Sequence, residues 1–216
     1  IPCAIKETED IVHANMRMGF GVTGYLQATD EQRSWLSDVY VYLRSYDKQY
    51  SEDNDFPISI KITTVKPSGT LSLLAGVTPG AHPGYSRYYI RRIRMAADSE
   101  LASVARNNGY FVEYVRNFDG TEDHSTVVVE FPCQFPDGTM FAEDMTAVDQ
   151  LNVIRKLQAE WSDNSVSVTI YYRKHELDAI KQWLSENYVN TKSVSFLLHS
   201  EHGFDQAPLE EITEAR

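Results

Sequence analysis

The chain has 216 residues, of which 42% are hydrophobic and 24% are charged. This length and balance exclude a disordered chain and a small disulfide scaffold, and no apolar run approaches the roughly 20 residues of a membrane-spanning helix. The 20 basic and 31 acidic residues leave a net charge of −11, which argues against nucleic-acid binding and favours a globular protein with neither a nucleic-acid nor a membrane partner.

Strands and helices alternate among the elements that periodicity predicts. In chain order we expect a helix over residues 6–18, a strand over 19–24, a helix over 29–50, strands over 58–65 and 88–95, a helix over 100–107, a strand over 126–131, a helix over 146–161, a strand over 166–172, a helix over 177–187 and a strand over 193–198. This order predicts an α/β fold with mostly parallel strands, in which sites collect where strands end and helices begin. We treat residues 1–216 as a single domain.

The most informative segment is Lys66-Pro67-Ser68-Gly69-Thr70-Leu71-Ser72, which follows a predicted strand and leads into a helical turn. The first amides of a helix have no intrahelical acceptor and attract anions, and hydroxyl groups add donors there. Gly69 lets a ligand approach the backbone, and Lys66 supplies a positive charge. The alternative is an ordinary helix that Ser68 or Thr70 merely caps. The segment is not a Walker A loop, whose pattern is absent.

A second candidate region combines a loop rich in glycine and proline, residues 76–85, with four arginines within residues 87–94. In an acidic chain this concentration of arginine indicates a local anion site or a partner surface. A strand carrying ion pairs is the alternative interpretation. On a strand Arg92 and Arg94 would point to one face and Arg91 to the other, so the four cannot serve one ligand.

Other polar residues are better explained by structural roles. His82 has no second ligand at metal spacing, so we predict no metal site. The Asp163-Asn164 pair stands at a helix-to-strand junction, where such side chains usually bind local backbone; a polar barrel lining is the functional alternative. Cys133 has the surroundings of a buried small residue. With Cys3 it makes only two cysteines, which fits a reducing cytoplasm.

Several motifs occur in an order that carries a family likeness. The longest is Ile60-Lys61 with Thr63-Thr64-Val65-Lys66-Pro67-Ser68-Gly69-Thr70. The others are Asn15-Met16-Arg17-Met18-Gly19, Leu74-Ala75-Gly76, Ile90 with Arg92-Ile93-Arg94, Val129-Glu130-Phe131-Pro132, Trp161-Ser162-Asp163-Asn164 with Val166-Ser167, Thr191-Lys192-Ser193 and Gln206-Ala207-Pro208. Together they resemble the adenosylcobalamin-dependent (class II) ribonucleotide reductases, especially the monomeric ribonucleoside-triphosphate reductases, along nearly the whole chain.

The resemblance implies the C-terminal half of a ten-stranded α/β barrel in an enzyme that converts ribonucleoside triphosphates to deoxyribonucleotides. In that family a cysteine thiyl radical, generated with adenosylcobalamin, abstracts the 3′ hydrogen, the 2′ hydroxyl leaves as water, and a cysteine pair supplies the electrons. The substrate phosphates would be held by Lys66, Pro67, Ser68, Gly69, Thr70, Leu71 and Ser72. The following loop would lie near the open end of the barrel, with His82, Tyr85 and Arg87 as candidate contacts to substrate or cofactor.

The cysteines depart from the family pattern. The radical cysteine of the family stands in Asn-Pro-Cys-x-Glu, which is absent here, and Ile1-Pro2-Cys3-Ala4-Ile5 is only a superficial likeness. The redox pair and the cysteine-bearing tail are absent as well. We therefore predict no catalytic residue in this chain and expect it to be inactive in isolation. A first residue other than Met suggests a split subunit, a processed product or a trimmed piece of a longer chain.

Two hypotheses of different classes follow. In the first, the chain is a segment or split subunit of a ribonucleotide reductase, with a ribonucleotide substrate and adenosylcobalamin in the complete enzyme. In the second, it is a free-standing nucleotide-binding or interaction module without activity. Half a barrel leaves strand edges and an apolar face uncovered, so we expect association with the N-terminal half of the reductase or with another copy of the chain.

Overall fold

The protein is represented by a computed structural model, which describes residues 3–199 and 205–215. These residues form two compact units, and each is described by itself. The first unit contains residues 3–83 and 142–199, and the second contains residues 84–141 and 205–215. That the chain behaves as one domain stays a prediction. Ile1 and Pro2, which begin the superficial likeness to a radical-cysteine motif, lie outside the described residues.

Helices and strands alternate along most of the described chain. In chain order they are α1 (Lys6–Asn15), β1 (Phe20–Val22), α2 (Asp30–Asp53), β2 (Thr63–Val65), α3 (Leu71–Leu74), β3 (Tyr88–Ala96), α4 (Glu100–Asn107), β4 (Val112–Arg116), β5 (Glu122–Gln134), α5 (Ala147–Glu160), β6 (Thr169–Tyr172), α6 (Leu177–Asn187), β7 (Ser195–Leu198) and β8 (Leu209–Glu211). Short 3-10 turns lie at Ala142–Asp144, Lys174–Glu176 and Tyr188–Asn190. None of these helices is both long and apolar enough to cross a lipid bilayer.

The predicted helices are confirmed, with small shifts at their ends. α4 and α6 coincide with the predicted ranges. α5 follows Thr146, whose hydroxyl accepts a hydrogen bond from the Asp149 amide and so caps the helix. The first helix ends at Asn15, earlier than predicted, because Met16 adopts a left-handed conformation with φ 40°.

The strand predicted over residues 58–65 is wrong for its first half, since only Thr63–Val65 is a strand. Ile58, which should have been buried, is 48% exposed. The backbone here binds a side chain instead of a neighbouring strand: the Ser59 amide donates to the buried Asp47 carboxylate over 3.0 Å. A side-chain acceptor therefore replaces the strand ladder that the alternation of isoleucines predicted.

Parallel strands build the sheet of the first unit. β1 pairs with β2 and β6 pairs with β7, and a parallel bridge between Val65 and Val166 joins β2 to the segment that leads into β6. Helices α5 and α6 pack on one face of these strands, in a buried cluster that includes Val65, Leu151 and Ile170. The predicted α/β layering is confirmed in this unit, because helices connect strands that run in the same direction.

The second unit is antiparallel, which corrects the prediction of mostly parallel strands. Its sheet has the order β4-β5-β3-β8, and β3 pairs with β5 from Tyr88 opposite Gln134 to Ala96 opposite Thr126. β4 and β8 were not predicted. β4 is joined to β5 by a tight turn in which Gly120 has φ 82°, a connection that suits antiparallel strands and is too short for a parallel crossover.

Candidate functional site

The β2–α3 turn, residues 66–72, lies at the carboxyl end of a parallel strand, as predicted. The Ser68 amide donates to the Lys66 carbonyl within the turn, over 2.8 Å. The first amide that donates back into α3 is that of Leu74, which reaches the Thr70 carbonyl over 3.3 Å. The helical amides before Leu74 therefore point out of the start of α3, where a ligand oxygen could accept from them.

Ser68 has a buried side chain that the fold does not satisfy. The residue is 8% exposed, and its hydroxyl oxygen is buried with no hydrogen-bond partner in the part of the chain that is described. Leaving a buried hydroxyl unpaired costs roughly 1–3 kcal/mol. The Ser68 hydroxyl does not cap α3, and Thr70, the N-cap residue, makes no side-chain cap bond either. Neither of the two hydroxyls proposed as a cap therefore caps α3.

The remaining residues of the turn divide between solvent and interior. Lys66, Pro67 and Leu71 are exposed, and Leu71 keeps 66% of its surface in solvent. Lys66 makes no ion pair with any described residue, so its charge is not matched by a carboxylate of the protein. Ser72 is fully buried, and its hydroxyl donates to the Ser68 carbonyl. This bond holds the backbone of the turn while the Ser68 hydroxyl stays available.

Gly80, in the loop that follows the turn, packs directly against the backbone of the turn at Lys66. A Cβ atom at Gly80 would overlap the Lys66 carbonyl oxygen, and Gly80 also has φ 56°. Both conditions require glycine. The loop is further tied to the segment after β1, because the Tyr25 amide donates to the Gly80 carbonyl over 3.1 Å and the Thr78 amide donates to the Gln27 side chain over 2.8 Å.

His82 uses both ring nitrogens inside the first unit. Its Nδ1 lies 3.1 Å from the Pro79 carbonyl oxygen, and its Nε2 accepts a hydrogen bond from the Thr169 amide over 3.0 Å. These partners require a neutral ring with the proton on Nδ1. Burial lowers the pKa of His82, although the Pro79 carbonyl opposes this. His82 therefore connects the loop to β6, and a contact with substrate or cofactor stays a prediction.

Tyr85 and Arg87, the other two loop candidates, belong to the second unit. Tyr85 is half-exposed and meets the Tyr89 ring edge-on, with 6.4 Å between centroids. Arg87 forms an ion pair with Asp137, and its guanidinium lies 5.8 Å from the centroid of the Tyr88 ring. Arg87 therefore has a carboxylate partner already, and the ligand contacts predicted for both residues remain predictions.

The arginine-rich strand β3 is built around ion pairs. Arg92 has only 8% of its side chain exposed and pairs with both Glu130 and Glu210. The same guanidinium donates to the Ala207 carbonyl over 3.1 Å. Its charge is thus neutralised by the protein, which supports the ion-paired strand over the anion site as the interpretation of this segment.

Asp163 and Asn164 hold the strands of the first unit together. The Asp163 carboxylate accepts hydrogen bonds from the Tyr40 hydroxyl (2.8 Å), the Arg44 guanidinium (2.8 Å) and the Ile62 amide (2.9 Å). Burial opposes its ionisation, but these three groups outweigh burial and lower the pKa of Asp163. Asn164 donates to the backbone of β2 over 2.7 Å. The structural interpretation of this pair is the one the geometry supports.

A polar face of the strands next to the turn was not predicted from the sequence. Thr64 sits between the two buried residues of β2, so its side chain points away from the helices. A Cβ atom at Gly19 would lie 3.3 Å from the Thr64 methyl group, which puts both residues on this face. On β6, Thr169 and Tyr171 flank the buried Ile170 and point the same way. The two-residue alternation of β6 was the signal that could have identified this polar face.

The two cysteines belong to different units of the described structure. Cys3 lies in the first unit and Cys133 in the second, both are partly exposed, and they are not joined by a disulfide. Burial raises the pKa of Cys133, against the influence of Tyr89 and Arg91. Within residues 3–199 and 205–215, no group of three or more His, Cys, Asp or Glu side chains is placed to hold a metal ion.

Comparison with known proteins gives consistent relatives, although no family model matches the chain. An adenosylcobalamin-dependent ribonucleoside-triphosphate reductase from Euglena gracilis is 38% identical over 220 residues, which cover 99% of this chain and 30% of that protein. A probable reductase of the same name from Dictyostelium discoideum is 36% identical over 226 residues, covering 97% of this chain and 28% of that protein. This chain therefore spans about 30% of the length of these relatives.

The fold agrees with the sequence comparison. A crystal structure of a B-12-dependent (class II) ribonucleotide reductase matches with a TM-score of 0.81 and 27% sequence identity, covering 97% of this chain and 33% of that one. Similarity in sequence and in structure thus extends over nearly all of this chain. The chain belongs to the family of adenosylcobalamin-dependent (class II) ribonucleotide reductases, of whose members it matches about 30% of the length.

Proposed function

We propose that the chain forms the C-terminal part of the catalytic barrel of a class II ribonucleotide reductase, which converts ribonucleoside triphosphates to deoxyribonucleotides. The relatives support this assignment. The first unit supports it too, because parallel strands covered by helices are the elements that form the wall of an α/β barrel. In a barrel of ten strands this chain supplies part of the wall and the β2–α3 turn. We propose a cytoplasmic location with it.

The turn is proposed to hold the substrate phosphates, and the buried, unpaired Ser68 hydroxyl is the observation that carries this proposal. In the complex that hydroxyl donates to a phosphate oxygen. The amides of Leu71 and Ser72 at the start of α3 add donors, and Gly69 lets the phosphate approach the backbone. Lys66, exposed and without a carboxylate partner among the described residues, supplies the compensating charge.

Adenosylcobalamin does not fit the described residues of this chain on their own. The loop over residues 76–85 uses its backbone groups within the fold, and His82 uses both ring nitrogens. Gly80 leaves no room for a ligand, because its α-carbon already lies against the Lys66 carbonyl. We therefore assign the cofactor, which generates the radical when bound, to the complete enzyme. We assign no residue of this chain a role in the cofactor's chemistry.

The reaction needs cysteines that this chain lacks. Reduction of the ribose takes two electrons, and in the family a cysteine pair supplies them while a third cysteine carries the radical. Cys3 and Cys133 lie in different units, and neither stands in the family's radical motif. The radical and redox cysteines are therefore proposed to come from the N-terminal half of the reductase, and the chain alone turns over no substrate.

Reconstitution tests this proposal. The chain is co-expressed with the part of the Euglena gracilis relative that it does not match, and the purified complex receives adenosylcobalamin, a dithiol and a ribonucleoside di- or triphosphate. We expect deoxyribonucleotide from the complex and none from either part alone. A folded complex that yields no product contradicts the proposal. If the chain then still binds ribonucleotide, it is a free-standing nucleotide-binding module instead.

A further inference from the structure

A second basic region lies in the first unit, away from the turn. The outward face of α5 and the 3-10 turn after α6 line an open cleft of about 830 Å³, which we name the α5 cleft. This volume is within the roughly 300–1,000 Å³ range of small-molecule sites. Its wall includes Asn152, Arg155, Lys156, Glu160, Val189 and Lys192. No residue of the β2–α3 turn contributes to it, so the cleft is a separate feature.

Two cations of the α5 cleft are held in place by neutral oxygens. The Arg155 guanidinium donates to the side-chain carbonyl of the buried Asn187 over 3.3 Å. The Lys192 ammonium donates to the backbone carbonyl of Asp163 over 2.6 Å. These contacts orient both groups without neutralising their charge. Arg44, in contrast, pairs directly with the Asp163 carboxylate over 2.8 Å.

The balance of charge in the cleft is positive. Lys156 adds a third cation, and Glu160, 4.0 Å from the Lys156 ammonium, is the one carboxylate among the described lining residues. Lys61 increases the positive field further: burial and the charge of Lys61 together lower the pKa of Lys192, against the opposing charge of Asp163. An anion in the cleft would relieve this repulsion. Such a concentration of cations stands out in a chain of net charge −11.

The chemistry of the walls specifies the ligand further. Asn152 offers an amide beside the cations, although its carbonyl oxygen already accepts from Trp183 over 3.0 Å. Val189 is 77% exposed and adds apolar surface. We propose that the α5 cleft binds a phosphorylated small molecule, whose phosphate groups contact Arg155 and Lys192 and whose organic body rests on the apolar part of the wall. This site is independent of the proposed phosphate-binding turn.

Binding of inorganic tripolyphosphate to the full chain tests the phosphate part of this site. Titration is followed by isothermal calorimetry and by amide chemical shifts at fixed ionic strength. We expect shifts at residues of α5 and near Lys192. Arg155→Gln should weaken the affinity about tenfold, as expected for loss of a charge-assisted contact. Lys181→Gln, an exposed lysine of α6 paired with Asp178, is the matched control and should change the affinity less than twofold.

Glu160→Gln separates a binding role from a structural one, because it removes the opposing carboxylate and should strengthen tripolyphosphate binding about threefold. Shifts of α5 residues report binding in the α5 cleft and shifts of residues 66–72 report binding at the turn, so the two affinities are read separately. The proposal is overturned if Arg155→Gln and Glu160→Gln both bind like the wild type, if the shifts map only to residues 66–72, or if sulfate binds as tightly as tripolyphosphate. Loss of reductase activity on reconstitution would not affect it.

Discussion

The Nε2 atom of His82 accepts a hydrogen bond from the Thr169 amide at 3.0 Å, while Nδ1 lies 3.1 Å from the Pro79 carbonyl oxygen. One neutral ring thus joins the loop that follows the β2–α3 turn to the start of β6. A proton on Nε2 would break the bond to Thr169. Burial lowers the pKa of His82 and so also favours the neutral ring.

This arrangement predicts a loss of stability in mild acid. The folded pKa of His82 is lowered from its ordinary value, so the unfolded chain binds more protons and stability rises with pH. The contribution of His82 is complete above about pH 6.5 and declines as pH falls below that value towards the folded pKa. Urea unfolding between pH 5 and 8 should show this decline. His82→Gln should flatten it, whereas His175→Gln, an exposed control, should not; equal profiles for all three proteins would contradict the assignment.

Gly80→Ala should destabilise the first unit by about 2–4 kcal/mol. The new methyl group meets the Lys66 carbonyl, and alanine disfavours φ 56°. The control is Gly76→Ala in the same loop, where φ is 68° but no atom lies within 4 Å of the added Cβ. Its cost should be about 1 kcal/mol, from backbone strain alone. Chemical denaturation measures both, and equal costs would show that the contact with Lys66 is unimportant.

Ser68→Ala should separate binding from folding. Removing a buried, unpaired hydroxyl should leave the free energy of unfolding unchanged or raise it by about 1 kcal/mol, while the affinity for a ribonucleoside triphosphate falls about tenfold. Ser72→Ala removes a hydroxyl that is bonded to the Ser68 carbonyl and should lower stability by about 1 kcal/mol. Calorimetric titration and urea unfolding give the two quantities. Undiminished affinity in Ser68→Ala would exclude the hydroxyl from phosphate binding.

Association should depend on one flank of α2. Tyr42, Tyr46 and Tyr50 stack along it with 6.3 Å between successive ring centroids, and each has more than half its surface exposed. Exposed aromatic surface of this extent indicates an interface. Tyr46→Glu should weaken self-association, or assembly with the N-terminal half, at least about tenfold without changing the melting temperature, whereas Ser45→Glu should have little effect. Sedimentation velocity distinguishes them, and identical assembly of both variants would rule out this flank.

Local signals were sufficient for most helices. α4 and α6 were predicted at their observed ends because apolar spacing and end signals act within a few residues. The position of the turn was also predicted from local signals, because a strand, a proline-glycine break and an apolar run follow one another directly in the chain. Strand predictions were less successful. β8, a three-residue strand, forms only because β3 is present to pair with it.

The candidate site shows the same division. The segment over residues 66–72 was identified from its residue types, but nothing local shows that the Ser68 hydroxyl is unpaired. The role of His82 depends on Thr169, 87 residues away, and so could not be predicted from the loop itself. The hydrogen bonds of Asp163 were easier to predict, because an aspartate at a helix-to-strand junction usually binds nearby backbone groups.

By itself the sequence determined the helices, the place of the turn at the end of a strand and the family, since periodicity, end signals and motif order are properties of the chain read in one dimension. Only the tertiary structure decided that residues 58–62 are not a strand, that the second unit is antiparallel and that Arg92 is neutralised by two carboxylates. Each of these depends on partners distant in sequence, as with Arg92 and Glu210, which are 118 residues apart. The group that neutralises a charge or hydrogen-bonds to a backbone group is brought there by the tertiary fold. The neighbouring residues in the sequence do not identify it.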